Sequence, residues 1–182
     1  MRFSVLLICL LLSFCQNAGA QYYNLAFRNY GSNNGLSQSE VECVYFDRDR
    51  FLWIGTHYGL NRYDGRYFTP YYQNSQDRYS IGENVIKAIT EDSKKNLWLA
   101  VYNSGLTKLV KSNMQFVNYQ PNESDSNSLM SKQVNCLLVD KYDKVWVGTE
   151  KGLSVFDNGT QKFTNYYRCP CHNSSFHVLS MC

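Results

Sequence analysis

The chain has 182 residues, of which 44% are apolar and 15% aromatic, and a formal net charge of +3. These are the values of a folded domain rather than a disordered tail, and the absence of any Lys/Arg block argues against nucleic-acid binding. Lys94-Lys95 is an isolated basic pair suited to a solvated turn. Outside a shorter run at the very start, no stretch approaches the ~18 apolar residues of a spanning helix, so no membrane span is expected in the mature chain.

Residues 1–20 read as an export signal. Arg2 forms a short basic region, residues 3–12 an apolar core, and Ala18-Gly19-Ala20 a cleavage site ahead of Gln21. A lipoprotein signal built on Cys15 is disfavoured because Phe14 stands where a small residue is needed.

The dominant feature comes next. Phe51-Leu52-Trp53-Ile54-Gly55-Thr56, followed by Gly59-Leu60, recurs around Trp98 (Asn96-Leu97-Trp98-Leu99-Ala100, then Gly105-Leu106) and around Trp146 (Lys144-Val145-Trp146-Val147-Gly148-Thr149, then Gly152-Leu153). The tryptophans are spaced by 45 and 48 residues. A period of this size predicts propeller blades or another stacked repeat.

Each repeat divides into four short strands. The first, at residues 41–46, 85–91 and 134–139, is rich in β-branched and aliphatic side chains. A turn beginning at Asp47, Asp92 or Asp140 leads to the tryptophan strand, whose unbroken apolar run suits burial on both faces. Turn chemistry is preferred over calcium binding for these aspartates, because an EF-hand-like ladder of oxygen ligands is missing. The tight turns ending in Gly59, Gly105 and Gly152 call for positive φ. The fourth strand carries Phe-x-x-Tyr at Phe68/Tyr71, Phe116/Tyr119 and Phe163/Tyr166. Polar connectors at 73–77 and 121–127 separate the repeats.

The expected organisation is therefore all-β: an incomplete β-propeller of three four-stranded antiparallel blades at residues 36–72, 80–119 and 128–166. Phe27-Arg28-Asn29-Tyr30 repeats the fourth-strand pattern before the first blade. Residues 21–35 are thus expected to supply an orphan outer strand to a blade that this chain does not contain. Closed propellers need roughly four to eight blades, so three indicate the N-terminal portion of a longer protein. Residues 167–182 depart abruptly from the pattern, as a frameshift or truncation would produce. Their Cys169, Cys171, His172, His177 and Cys182 match no standard zinc spacing. Cys43 and Cys136 align with Ala88, which predicts small buried positions rather than disulfides.

The motif Leu-Trp-Ile-Gly-Thr-x-x-Gly-Leu-x-x-Tyr-Asp, with its preceding aspartate turn and trailing Phe-x-x-Tyr, resembles the two-component regulator propeller repeat over residues 22–166. Departures are Arg50, Lys95 and Asp143 where the family has glycine, and Ala100-Val101 in place of Gly-Thr. The resemblance implies a periplasmic sensor, with the remaining blades and the histidine-kinase, receiver and DNA-binding domains on a longer chain. It also implies an oligo- or polysaccharide ligand and signalling through a phosphorelay.

The tryptophans are assigned to packing between blades, so ligand contacts are sought in the turns that vary between copies. These are His57 and Tyr58, Tyr102 and Asn103, and Glu150 and Lys151, which strand alternation places on the same rim as the connectors. No cofactor or metal site is expected. His57, the only histidine between the export signal and the tail, has no nucleophile placed beside it by any motif, and no nucleotide loop or kinase signature occurs. The competing readings are an exported propeller enzyme acting on polysaccharide and a protein-binding propeller scaffold.

Overall fold

The computed structural model describes residues 26–167. The export segment and the cysteine-rich tail lie outside the described residues. Twelve strands form three separate four-stranded antiparallel sheets, each a simple meander. Blade 1 comprises β1 (Val41–Phe46), β2 (Leu52–Thr56), β3 (Gly59–Tyr63) and β4 (Phe68–Tyr71). Blade 2 comprises β5 (Ile86–Glu91), β6 (Leu97–Val101), β7 (Gly105–Val110) and β8 (Gln115–Tyr119). Blade 3 comprises β9 (Val134–Val139), β10 (Lys144–Thr149), β11 (Gly152–Asp157) and β12 (Lys162–Tyr167). Strand β1 packs on β5 and β5 on β9, so the first strand of each blade lies on the shared inner edge.

The cores are interfaces between blades. Trp53 and Leu60 of blade 1 are buried against Leu97, Leu99, Leu109 and Phe116 of blade 2. Trp98 and Leu106 of blade 2 are buried against Val145, Val147, Phe156 and Phe163 of blade 3. Among the described residues no blade follows Trp146, which is half-buried. In a strand, residues three apart point to opposite faces, which explains Phe-x-x-Tyr. Phe116 faces back to blade 1, where Tyr71 meets it edge-on at 5.9 Å, while Tyr119 faces forward and meets Phe163 at 5.9 Å.

Each tryptophan is also held from its own aspartate turn. Asp47 Oδ1 accepts the N–H groups of Asp49 (3.0 Å) and Phe51 (2.8 Å), and Oδ2 accepts the Trp53 indole N–H at 2.7 Å. Asp92 receives the Trp98 indole at 3.1 Å and Asp140 that of Trp146 at 2.8 Å. The carboxylate closes the turn and satisfies the one polar atom of a ring placed in an apolar seam.

The departure at Ala100 has a packing reason. Gly55 faces Cys43, and a Cβ added there would lie 2.6 Å from the thiol and 2.8 Å from the Ile86 carbonyl of the next blade. Gly148 faces Cys136 in the same register, and in blade 2 the pair is Ala100 opposite Ala88. A Cys/Gly pair is exchanged for an Ala/Ala pair of similar total volume. Burial pushes the Cys43 thiol up to about 12, so it behaves as a small apolar group.

Of the segment expected to supply an outer strand, residues 21–25 lie outside the described residues. Residues 26–31 carry no strand. A strand requires backbone partners, and among the described residues no strand lies where the inner strands of a preceding blade would be. Tyr30 nevertheless meets Phe68 edge-on at 5.7 Å, repeating the Tyr71–Phe116 and Tyr119–Phe163 contacts.

Candidate ligand site on the connector rim

The turns between second and third strands lie beside the chain segments entering each first strand. The N–H of His57 bonds the Glu40 carbonyl (3.3 Å), that of Tyr102 the Val85 carbonyl (2.9 Å) and that of Glu150 the Gln133 carbonyl (3.2 Å). The three turns therefore occupy equivalent places on one rim, at the end where β1, β5 and β9 begin.

At that end every first strand carries a β-bulge at the same position. Val41 pairs with Thr56 and Cys43 with Gly55, leaving Glu42 over. Ile86 pairs with Val101 and Ala88 with Ala100, leaving Lys87. Val134 pairs with Thr149 and Cys136 with Gly148, leaving Asn135. A bulge breaks the ladder locally and re-aims the extra side chain. The result is three polar residues, one per blade, standing next to the three variable turns.

Side chains from both groups meet across the first seam. The His57 ring bonds the Glu42 carboxylate through Nε2, and its Nδ1 lies 3.5 Å from Glu40. The Lys87 ammonium of blade 2 bonds Glu42 of blade 1 at 2.7 Å and lies 6.0 Å from the centre of the Tyr102 ring, which is exposed. The Lys87 ammonium first, and the His57 ring second, hold the Glu42 carboxyl below its usual range. It is therefore an ionised acceptor at neutral pH, sharing its charge with two donors that can also serve a ligand.

The remaining predicted residues lie along other seams. Tyr58 is exposed and packs against Tyr72 with ring centres 5.5 Å apart and the planes tilted by 50°. Asn103 accepts a hydrogen bond from Gln133 of blade 3, and the Glu150 carboxylate bonds Ser131 at 3.0 Å. Lys151 lines a groove of about 540 Å³ formed with Asn165 and the connector at residues 121–130. The six residues thus spread over the rim; His57 and Tyr102 are the two that Glu42 and Lys87 link. Glu40, Glu42, Lys87 and Gln133 were not among the predicted site residues. A signal existed: Val41-Glu42-Cys43, Ile86-Lys87-Ala88 and Val134-Asn135-Cys136 each place one polar residue between apolar neighbours at matching repeat positions.

The opposite rim holds an acidic cluster of Asp47, Asp49 and Glu91. Its centre is taken by the Lys111 ammonium, 2.8, 2.7 and 3.3 Å from the three carboxylates. Lys111 and Lys95 hold Asp49 at about 2. For Asp47, burial pushes upward, but the bonds from Lys111, Trp53 and the Phe51 N–H outweigh it and the carboxyl is lowered. The cluster is a polar latch between blades 1 and 2.

The two-component regulator propeller profile matches residues 35–58 and 128–151, which contain the bulged first strands and variable turns of blades 1 and 3. A 62-residue stretch is 42% identical to histidine kinase P4 of Formosa agariphila, covering 34% of this chain and 4% of that protein. Over 81% of its length the chain is similar, with 30% identity and a TM-score of 0.75, to the extracellular domain described for the hybrid two component system BT3049 of B. thetaiotaomicron. It spans 21% of that domain. Virginiamycin B lyase from Staphylococcus aureus, at 13% identity and a TM-score of 0.53 over 72% of this chain and 42% of that one, shares the fold alone. Among the described residues no helix is long and apolar enough to cross a membrane. Blades 1 and 3 are matched as two-component regulator propeller repeats, and the three-blade stack is similar to part of the extracellular domain described for a hybrid two component system.

Proposed function

We propose that this chain is the N-terminal part of a periplasmic propeller sensor that binds an oligosaccharide on its connector rim and passes the binding event to kinase domains on a longer chain. The observation that carries the reading is the bulge repeated in all three first strands, which sets Glu42, Lys87 and Asn135 beside His57, Tyr102 and Glu150. The scaffold is the same in each blade, whereas the residues displayed at this one place change. That is how a rigid fold acquires a specific site. An exposed aromatic ring next to paired donors and acceptors suits a sugar, which offers an apolar ring face and a rim of hydroxyls.

The tryptophan seams give a route for the signal. A shift at the rim moves β1 against β5, and those strands are continuous with the packed interface around Trp53. Residues 27–30 fit the same reading as the outer strand of a preceding blade, because Tyr30 already makes the contact with Phe68 that such a strand makes elsewhere.

The test is titration of the purified chain with a panel of neutral and acidic oligosaccharides by calorimetry. Lys87→Met and Tyr102→Ala are expected to abolish binding with the circular dichroism spectrum unchanged, while Tyr142→Ala, exposed in an aspartate turn on the opposite rim, leaves it intact. Binding that survives both rim substitutions would sink the assignment.

A further inference from the structure

Tyr58 and Tyr72 form a pair of tilted rings, 56% and 43% exposed, that the Glu42–Lys87 group does not use. The fold does not ask for either ring. In blade 2 the same two places, after Tyr102 and after Tyr119, hold Asn103 and Gln120. Both rings nevertheless stand on fixed backbone. The Tyr72 ring lies so close to Gly59, at φ of 107°, that a Cβ added there would come within 3.0 Å of it. Asn84, at the entry to blade 2, ties the two tyrosine segments together. Its backbone carbonyl accepts the Gly59 N–H at 2.7 Å, and its Oδ1 accepts the Gln73 N–H at 2.8 Å. A backbone N–H can only donate, so Oδ1 faces Gln73 and the amide NH2 points elsewhere. That NH2 has no acceptor among the described residues and is not buried, so it is open to solvent. The exposed Glu83 carboxylate, which accepts the Asn84 N–H at 3.0 Å, adds an acceptor beside it. The platform lies where blade 1 meets the connector into blade 2, with described segments on both sides.

We propose that Tyr58, Tyr72 and Asn84 form a second sugar subsite, in which the two rings take the apolar face of a neutral sugar unit while Asn84 and Glu83 hold its hydroxyls. The inference rests on the reading of the rim as an oligosaccharide site and extends that site outward. His57 and Tyr58 are consecutive, with Cα atoms about 3.8 Å apart, so the platform begins where the Glu42–Lys87–His57 group ends. Neighbouring units of one saccharide chain can therefore occupy both. Rings beside one free donor and one acceptor match a pyranose, which is apolar on its face and polar at its edge. The charge selects further. Glu83 is the charged group bonded at the platform, so a uronate or sulfated unit would meet a like charge there, which disfavours it.

Calorimetric titration of the purified chain tests the subsite. The probes are gluco-, galacto-, manno- and xylo-oligosaccharides, from monosaccharide to hexasaccharide, together with their uronate counterparts. In the series that binds, affinity is expected to rise with chain length and then level off, with neutral members ahead of acidic ones. Tyr72→Ala is expected to weaken hexasaccharide binding about tenfold and to leave the shortest binding member unchanged. Tyr72→Phe keeps the ring and is expected to bind like wild type, and Tyr58→Ala repeats the test at the other ring should Tyr72→Ala fold poorly. Affinity that ignores chain length, an equal loss at every length or a preference for uronates would each overturn the proposal. Hexasaccharide binding that is lost in Lys87→Met but unchanged in both tyrosine-to-alanine variants overturns the subsite and leaves the rim assignment standing. The reverse pattern overturns the rim assignment and leaves the subsite. Binding by no member of the panel overturns both.

Discussion

Arg50, Lys95 and Asp143 occupy the same place in the three blades, and all are held in the left-handed region, with φ of 68°, 66° and 63°. A side chain there costs about 1–2 kcal/mol, and glycine relieves it while taking back about 0.5–1 kcal/mol through the entropy of the unfolded chain. The backbone gain is therefore about 0.5–1 kcal/mol at Arg50 and Lys95 and smaller at Asp143, because aspartate tolerates this region better, and the side-chain contacts decide the sign. Arg50 makes no side-chain hydrogen bond or ion pair among the described residues, so Arg50→Gly is expected to stabilise by the full amount. For a chain of this length that is a rise in Tm of about 1–4 °C. Lys95 bonds Asp49 at 2.6 Å in a partly exposed pair whose loss offsets the backbone gain, so Lys95→Gly should be close to neutral. The Asp143 carboxylate accepts the Ser93 N–H of blade 2 at 2.7 Å and meets Asn158 at 3.3 Å. Losing these bonds to a charged acceptor costs about 1.5–3 kcal/mol, and Asp143→Gly is expected to destabilise by about 1 kcal/mol. Urea unfolding followed by tryptophan fluorescence measures all three. Lys141→Gly, in the third of these turns but without positive φ, serves as the control and should cost about 0.5–1 kcal/mol. Equal effects at the three sites, or an Arg50→Gly variant no more stable than the control, would refute the reasoning.

Trp98→Ala is expected to cost about 3–5 kcal/mol, because the ring is fully buried between blades, whereas Trp146→Ala should cost less than half of that in a monomeric preparation; equal losses by the same urea assay would count against the seam description. Lys111→Met leaves the buried Asp47 carboxylate without its cation, and Glu91 with only the longer Arg48 ion pair, and is expected to destabilise by about 3 kcal/mol at neutral pH. The carboxyls of Asp47 and Asp49 are lowered in the folded state, so their contribution is fully present above the ordinary carboxylate range near pH 4 and is lost as pH falls toward about 2. The gap between wild type and Lys111→Met should accordingly narrow over that interval in acid titrations monitored by circular dichroism; a gap that widens contradicts the latch. Gly55→Ala places a methyl group 2.6 Å from the Cys43 thiol and should lower Tm, and Cys43→Ala in the same chain should restore part of the loss, since blade 2 carries Ala at both positions.

The blade count, the strand order and the packing role of the tryptophans were legible because a repeat states its own alignment. Trp53, Trp98 and Trp146 fall in phase, and a residue kept through three copies at mid-strand is read as part of the shared scaffold. The small-residue pairing was half legible: Ala88 was recognised as the counterpart of Cys43 and Cys136, but that it compensates Ala100 depends on cross-strand register. The rim turns were placed on the correct edge by strand alternation alone. Glu42 and Lys87 were not chosen, because polar residues within a short strand look like its solvated face.

The sequence by itself determined which residues form strands, where each blade turns, and which family of repeat it is. Period, glycine placement and apolar runs are local properties, and they act within a few residues of where they are written. Only the tertiary structure decided which residues leave the ladder and meet across a seam. The bulge at Glu42 exists because Val41 and Cys43 pair with adjacent residues of β2, and the Glu42–Lys87 bond exists because β1 lies against β5. Those contacts join residues 45 positions apart, and the chain between them sets their distance only after both blades have folded and packed.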